Sequence, residues 1–324
     1  MVKGIRVHKV GGPEALVYEE FELAPPGQGE IRVKSRAMGV NFIDVYYRTG
    51  LYPTPQSPFV PGSETAGDVI AIGSGVTGFR IGDRVASAMG LGGYAEERNM
   101  PAAMVVKLPD SISYETAAAM MLKGLTAQYL LRRTYKVKAG DTILFHAAAG
   151  GVGLIACQWA KHLGATVIGT VGDKAKARLA KKNGCDHVIL YREEDWVARV
   201  AKITKGEKCH VVYDGVGKAT FPGSLDCLRP FGLFASFGNA SGPVENFSLL
   251  ALSQRGSLFA TRPTLGTHVA QRANLVKMAK DLFSVVASGA VKIPVHSKMK
   301  LKDAAEAHRQ LEARATTGAT VLLP

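Results

Sequence analysis

The 324-residue chain is 47% hydrophobic with 36 glycines, the composition of a compact α/β protein too long for one core, so two domains are expected. No run of 18 or more apolar residues is unbroken by charge or glycine turns, and Met1-Val2-Lys3-Gly4-Ile5-Arg6-Val7 lacks a signal-peptide core; a membrane or secreted protein is set aside for a cytoplasmic one. The formal charge of +13 brings polyanions into consideration, yet the basic residues are dispersed, and Lys174 to Lys182 and Lys298 to Lys302 alternate with alanine or apolar residues as solvated faces do.

In chain order, the first part reads as β-rich, with strands at Gly4 to Val10, Ile31 to Ala37 and Asp68 to Ile72 and strand-turn-strand signals to about Val106. From Tyr114 the pattern becomes helical, Glu115 through Arg133, with Ser113 as its cap. Strand and helix then alternate. Strands are expected at Thr142 to His146, Thr166 to Thr170, His187 to Leu190 and His210 to Asp214, and helices at Val152 to Leu163, Lys174 to Asn183 and Asp195 to Thr204. Strands Leu233 to Phe237 and Ser257 to Ala260 extend a parallel sheet. A long helix from His268 to Ser288, a strand at Val291 to Val295, a helix from Lys302 to Ala313 and a strand from Ala319 to Leu323 complete the chain. The fold expected is α/β: a Rossmann-type doubly wound parallel sheet and a β-rich domain built from both ends of the chain. The segments are 1–124, 125–262 and 263–324, the last returning to the first.

The four cysteines, Cys157, Cys185, Cys209 and Cys227, stand far apart with no C-x-x-C pair, and read as reduced, buried thiols.

The run Thr142 to Gly153 is a strand turning into a helix through very small residues, the pattern of a phosphate-binding turn. Ala148, Gly150, Gly151, Val152 and Gly153 are the candidate cofactor contacts, with Ala148 at the first position of a G-x-G-x-x-G pattern. Two readings compete at the end of the second strand. Asp173, about 20 residues beyond Gly153, stands where an acid binds the ribose hydroxyls and repels a 2′-phosphate. Gly172, Lys174, Lys176 and Arg178, with Tyr191-Arg192 after the third strand, offer an open basic site for that phosphate, and this favours NADPH. Asp214-Gly215-Val216-Gly217 ends the fourth strand on the same edge and is a candidate ribose contact; His146 reads as a strand-end histidine.

Asn41-Phe42-Ile43-Asp44, with Tyr46, Tyr52, Gly62-Ser63-Glu64, Lys123-Gly124-Leu125-Thr126-Ala127 and Ala147 to Gly153, resembles the medium-chain dehydrogenase/reductase superfamily, in its zinc-free quinone oxidoreductase branch that includes zeta-crystallin. The resemblance implies that the β-rich domain is GroES-like and catalytic. It also implies Thr126 near the cofactor phosphates with Lys123 and Gly124 beside it, Phe237, Gly238 and Asn239 along the nicotinamide, and Arg262 at the domain junction. Zinc relatives use a cysteine and the histidine of a Gly-His-Glu as ligands; here Asn41 and Ser63 stand in those places, so no metal is expected, and Asp44 and Glu64 read as fold-stabilising acids.

Without a Lewis acid the expected substrate is an easy hydride acceptor, a small-molecule quinone or, alternatively, an enone or alkenal double bond. Asn41 is the expected amide donor to the nicotinamide or quinone oxygen, and Tyr46 and Tyr52 are stacking walls and phenol donors. An alternative of another class is a binding protein, either a weak electrostatic RNA binder or a crystallin-like structural protein. The resemblance further implies a homodimer, with Ser257 to Ala260 as a candidate edge strand.

Overall fold

The computed structural model describes residues 1–54 and 57–324. In chain order it comprises β1 (Val2–Arg6), β2 (Val17–Phe21), β3 (Glu30–Gly39), α1 (Phe42–Thr49), β4 (Glu64–Ile72), β5 (Arg84–Ser87), β6 (Glu97–Pro101), β7 (Val106–Lys107) and α2 (Tyr114–Tyr129). Then come β8 (Thr142–Phe145), α3 (Gly151–His162), β9 (Thr166–Val171), α4 (Lys174–Lys182), β10 (His187–Leu190), α5 (Trp196–Ile203), β11 (Cys209–Asp214), α6 (Gly223–Asp226), β12 (Leu228–Ser236), α7 (Leu250–Ser253) and β13 (Phe259–Thr261). The chain ends with α8 (Leu265–Val269), α9 (Arg272–Ala287), β14 (Val295–Lys300), α10 (Ala304–Glu312) and β15 (Ala319–Leu323). Among the described residues no helix is long and apolar enough to cross a membrane.

Two compact units form: Met1–Leu125 with Val269–Phe283 and Ile293–Pro324, and Thr126–His268 with Ser284–Lys292. Residues 263–268 and 284–292 thus pack with the second unit, where the sequence division places them with the first.

In the first unit, β3 is the spine of a sheet ordered β14-β15-β3-β4-β5-β7, with β6 also on β3. Alternate residues of β3 turn inward, so Ile31 and Val33 join Val69, Val85 and Met100 in one core. Met38 and Val40 join Ile5, Tyr94 and Leu322 in another. The last strand, β15, pairs antiparallel with β3, which is how both chain ends share one sheet.

The second unit is a six-stranded sheet ordered β10-β9-β8-β11-β12-β13, parallel throughout. The order reverses beside β8, between β9 and β11, so the crevice at the carboxyl ends of β8 and β11 is where such sheets bind nucleotides.

Two expected elements differ. The long helix from His268 to Ser288 is broken at Ala270 and Gln271, where the Gln271 carbonyl accepts from Asn274 N and Leu275 N and starts α9 afresh. No glycine or proline marks the break, so local signals could not reveal it. The strand expected at Val291 to Val295 begins only at Val295, because Pro294 has no N–H to give a ladder.

Candidate functional site

The turn after β8 is built to keep side chains away. Gly150 caps α3 with an extended backbone and no side-chain hydrogen bond, which leaves the first amides of the helix, from Gly151, Val152 and Gly153, for an anion. A Cβ on Gly153 would lie 2.5 Å from the Ala147 carbonyl oxygen and 2.7 Å from that of Ala148, so only glycine closes the turn. On Gly150 the nearest atom would be the Ala147 oxygen at 3.1 Å, a milder conflict.

The alanine at the first motif position has a tertiary explanation. Ala148 is fully buried, and a Cβ on Gly169 of the neighbouring β9 would come 2.6 Å from its methyl group, so Gly169 makes the room that a first glycine would otherwise supply. Ala147, in the left-handed region at φ 54°, supplies the sharp bend.

At the end of β9 the two readings of the sequence separate. Asp173 is the N-cap of α4: its Oδ1 accepts from Lys176 N at 2.8 Å, and its Oδ2 lies 3.9 Å from Lys176 Nζ. The acid is therefore engaged in starting a helix and faces its own lysine. A Cβ on Gly172 would stand 3.0 Å from the Tyr191 hydroxyl and 3.5 Å from Arg192 Nε. Gly172 thus lies against the Tyr191 hydroxyl and near the Arg192 guanidinium, donors of the kind that bind a phosphate.

Further along the carboxyl edge, a Cβ on Gly238 would meet the Gly215 carbonyl oxygen at 2.5 Å, and Phe237, half-buried, sits 5.7 Å from the Phe145 ring. Arg262 is exposed and donates from Nη1 to the Ser236 carbonyl oxygen at 3.0 Å, which fixes it at the end of β12 beside Phe237. Thr126 is buried on α2. Asp214 departs from the expected ribose contact. Its Oδ1 accepts from Val216 N and Gly217 N, its Oδ2 from Thr220 Oγ1 and Ser224 Oγ, all within 3.0 Å, so the carboxylate shapes its own loop. His146 is likewise structural, held between Thr170 Oγ1 and Ser224 Oγ.

In the first unit a polar network crosses the core. Ser63 Oγ donates to Asp44 Oδ1 and Tyr94 OH to Asp44 Oδ2, each at 3.0 Å, and Asn41 N caps onto the same carboxylate. Burial pushes the Asp44 carboxyl up to about 6 despite these donors, which act in the opposite direction. Tyr94 OH also meets His308 Nε2 at 3.1 Å, and His308 Nδ1 lies 3.3 Å from Arg48 Nη1. Burial, with the Arg48 guanidinium adding to it, drives His308 down to about 3, so the ring is neutral. Arg48 in turn grips both Glu312 oxygens at 2.8 Å.

Asn41 is placed differently from the expectation. Its Nδ2 donates to Glu64 Oε2 at 2.8 Å and to the Gly39 carbonyl oxygen at 3.3 Å, and its Oδ1 accepts from Lys123 Nζ at 2.7 Å. Both amide hydrogens are engaged inside the protein, so Asn41 does not serve as a free donor to a substrate oxygen. Lys123 lies against Asn41 and Glu64, with its Nζ 3.1 Å from Glu64 Oε2. Two of its ammonium hydrogens are engaged there, by Asn41 and Glu64. Tyr46 and Tyr52 form an aromatic pair with ring centroids 5.1 Å apart, Tyr46 buried and Tyr52 half-buried.

Residues 27–110 match the alcohol dehydrogenase GroES-like domain and residues 151–283 the zinc-binding dehydrogenase family. The chain is 54% identical to a quinone oxidoreductase of Pseudomonas aeruginosa, with the whole of both chains covered. It is 52% identical to Escherichia coli quinone oxidoreductase, whose structure in complex with NADPH superposes with a TM-score of 0.97 over 99% of this chain and 100% of that one. A 2-haloacrylate reductase of Burkholderia is 45% identical over 100% of this chain and 99% of its own.

This chain belongs to the zinc-free quinone oxidoreductase branch of the medium-chain dehydrogenase/reductase superfamily.

Membership explains the shape of the polar network. Where zinc-binding members of the superfamily carry a thiolate and an imidazole, this chain carries Asn41 and Ser63, and the neighbouring acids Glu64 and Asp44 each accept from protein donors at both oxygens. Among the described residues, no group of three or more His, Cys, Asp or Glu side chains could hold a metal ion. Sequence reasoning missed the parts of the network drawn from distant segments: Arg48, Tyr94, His308 and the ammonium of Lys123. A histidine and an arginine inside otherwise apolar helical faces were the only signal available.

Proposed function

We propose that this protein is an NADPH-dependent quinone reductase that works without zinc. The observation that carries this is the full-length match to the E. coli quinone oxidoreductase complexed with NADPH, together with a turn from Ala148 to Gly153 that leaves helix amides for a pyrophosphate. The residues present fit the cofactor: Gly150 to Gly153 hold the pyrophosphate, Gly172, Lys176, Tyr191 and Arg192 take the 2′-phosphate, and Phe237, Gly238 and Arg262 flank the nicotinamide. When bound, NADPH supplies two electrons and one hydrogen as hydride. Tyr46 and Tyr52 offer an aromatic wall against which a planar acceptor stacks.

A second reading, reduction of an activated carbon-carbon double bond, is favoured by the 2-haloacrylate reductase relative. Steady-state rates on 1,4-benzoquinone, 9,10-phenanthrenequinone and an enone decide between them. Quinone turnover is expected to dominate; negligible quinone turnover beside a fast enone reaction would replace the first reading with the second.

Cofactor choice gives a separate test. Arg192→Glu puts a carboxylate beside the 2′-phosphate position and is expected to lower the preference for NADPH over NADH by about 10- to 100-fold, the worth of one charge-assisted hydrogen bond. An unchanged ratio of kcat/KM values would move the 2′-phosphate elsewhere.

Self-association belongs to the same reading. The outer strand β13 is a sheet edge, and Phe259 on it is 60% exposed, an apolar edge of the kind that pairing with a second copy covers. Sedimentation at micromolar concentration is expected to show a dimer that Phe259→Lys dissociates; a monomeric wild type would reject this.

A further inference from the structure

Lys123 and Glu64 are an ion pair buried almost completely, with side chains 7% and 0% exposed and Nζ to Oε2 at 3.1 Å. Such pairs are poor devices for stability, because apolar residues of similar volume do as well or better. This one is also carefully oriented. Glu64 is pinned by Leu122 N through Oε1 and by Asn41 Nδ2 through Oε2, each at 2.8 Å. With its amide nitrogen held by Glu64 and Gly39, Asn41 must turn its carbonyl oxygen to Lys123 Nζ, 2.7 Å away. The ammonium carries three hydrogens, and the described residues accept two of them. A cation is therefore held against Asn41, one of the two positions where zinc-binding relatives place a metal ligand.

We propose that Lys123 binds the acceptor, its third ammonium hydrogen donated to the acceptor oxygen that becomes negative on reduction, and that Asn41 is the positioning residue that aims it. The inference rests on the reductase reading above and deepens it. The acceptor gains two electrons and one hydrogen from the reduced nicotinamide, which is oxidised; it then bears one negative charge on oxygen, and a proton from water completes the hydroquinone. Lys123 keeps its three protons throughout. A fixed donor aimed at developing negative charge does the work that a Lewis acid does in the zinc enzymes.

The test uses 4-nitrophenol, whose ionised form absorbs visibly, as a stand-in for the oxyanion, with the full-length protein. Wild type is expected to bind it with the phenolate favoured by about tenfold or more over solution, one pKa unit. Lys123→Met with Glu64→Gln removes both charges of the pair, so neither is left buried alone, and is expected to abolish this preference. The same double variant is expected to lower kcat for 1,4-benzoquinone by about 100-fold or more, as loss of one oxyanion donor does, with the dissociation constant for NADPH within about twofold of wild type. Lys123→Arg, which keeps the charge, is expected to retain the phenolate preference. A wild type that binds 4-nitrophenol with its ionisation unchanged overturns the proposal without any variant, and so does a double variant with wild-type kcat. Phenolate binding that depends on Lys123 in a protein with no quinone turnover supports the anion site and rejects the quinone reading instead.

Discussion

Gly153→Val is expected to raise the dissociation constant for NADPH by more than about 100-fold, equivalent to roughly 2.7 kcal/mol, in a protein that still folds. The cause is geometric. The first atom of any side chain at this position would sit 2.5 Å from the Ala147 oxygen and within 2.8 Å of the Ala148 carbonyl group. Both contacts are backbone, so relief requires the strand end and the helix start to move apart, and the amides of Gly151 and Val152 then no longer converge on one anion. Gly150→Ala is the graded control. Its single conflict, 3.1 Å to the Ala147 oxygen, is relieved by a shift of a few tenths of an ångström, and a loss of about tenfold or less is expected. Titration calorimetry with NADPH measures both, and equal affinities for Gly153→Val and wild type would remove the turn from the cofactor site.

The second large effect is on stability. Arg48→Met is expected to destabilise the first unit by about 2–4 kcal/mol, because the Gly11 oxygen and the buried His308 nitrogen each lose a donor, while Glu312, 34% exposed, is left partly in water. Arg48 is 1% exposed and its guanidinium does several things at once: two 2.8 Å hydrogen bonds to Glu312, one to the Gly11 carbonyl oxygen at 3.1 Å and one contact to His308 Nδ1. Methionine fills much of the volume but leaves the Gly11 oxygen and the His308 nitrogen without their donor. A fall in Tm on the order of 10 °C follows for a unit of this size. Arg48→Lys keeps a positive charge but cannot reproduce the planar fork of donors, and an intermediate Tm is expected. A midpoint within about 2 °C of wild type for Arg48→Met would show that the network contributes little.

These two residues also mark where sequence reading succeeds and where it stops. Gly153 is legible because its constraint is local: the carbonyl groups that exclude a side chain, those of Ala147 and Ala148, lie on the same turn. The parallel sheet is legible for the same reason, each strand and helix announcing itself by its own period. Asp173 is ambiguous because a ribose-binding acid and a helix N-cap occupy the same kind of position, and only the hydrogen bond to Lys176 N tells them apart. Arg48 is not legible as a buried residue, since its partner His308 is 260 residues away and nothing near it in the chain predicts burial.

The sequence by itself determined the strand-turn-helix that accepts a dinucleotide, the order of the β-α units, and the absence of thiolate and imidazole at Asn41 and Ser63; each follows from residue type and short spacing. Only the tertiary structure decided what replaces them. It turned the Asn41 amide inward, set Lys123 and Glu64 against it from segments 82 and 23 residues away, and gave the buried methyl of Ala148 its room beside Gly169. The physical reason is the same in each case. Hydrogen bonds and close contacts between distant segments depend on which faces the sheet brings together, and that is a property of the whole packed unit, not of any stretch within it.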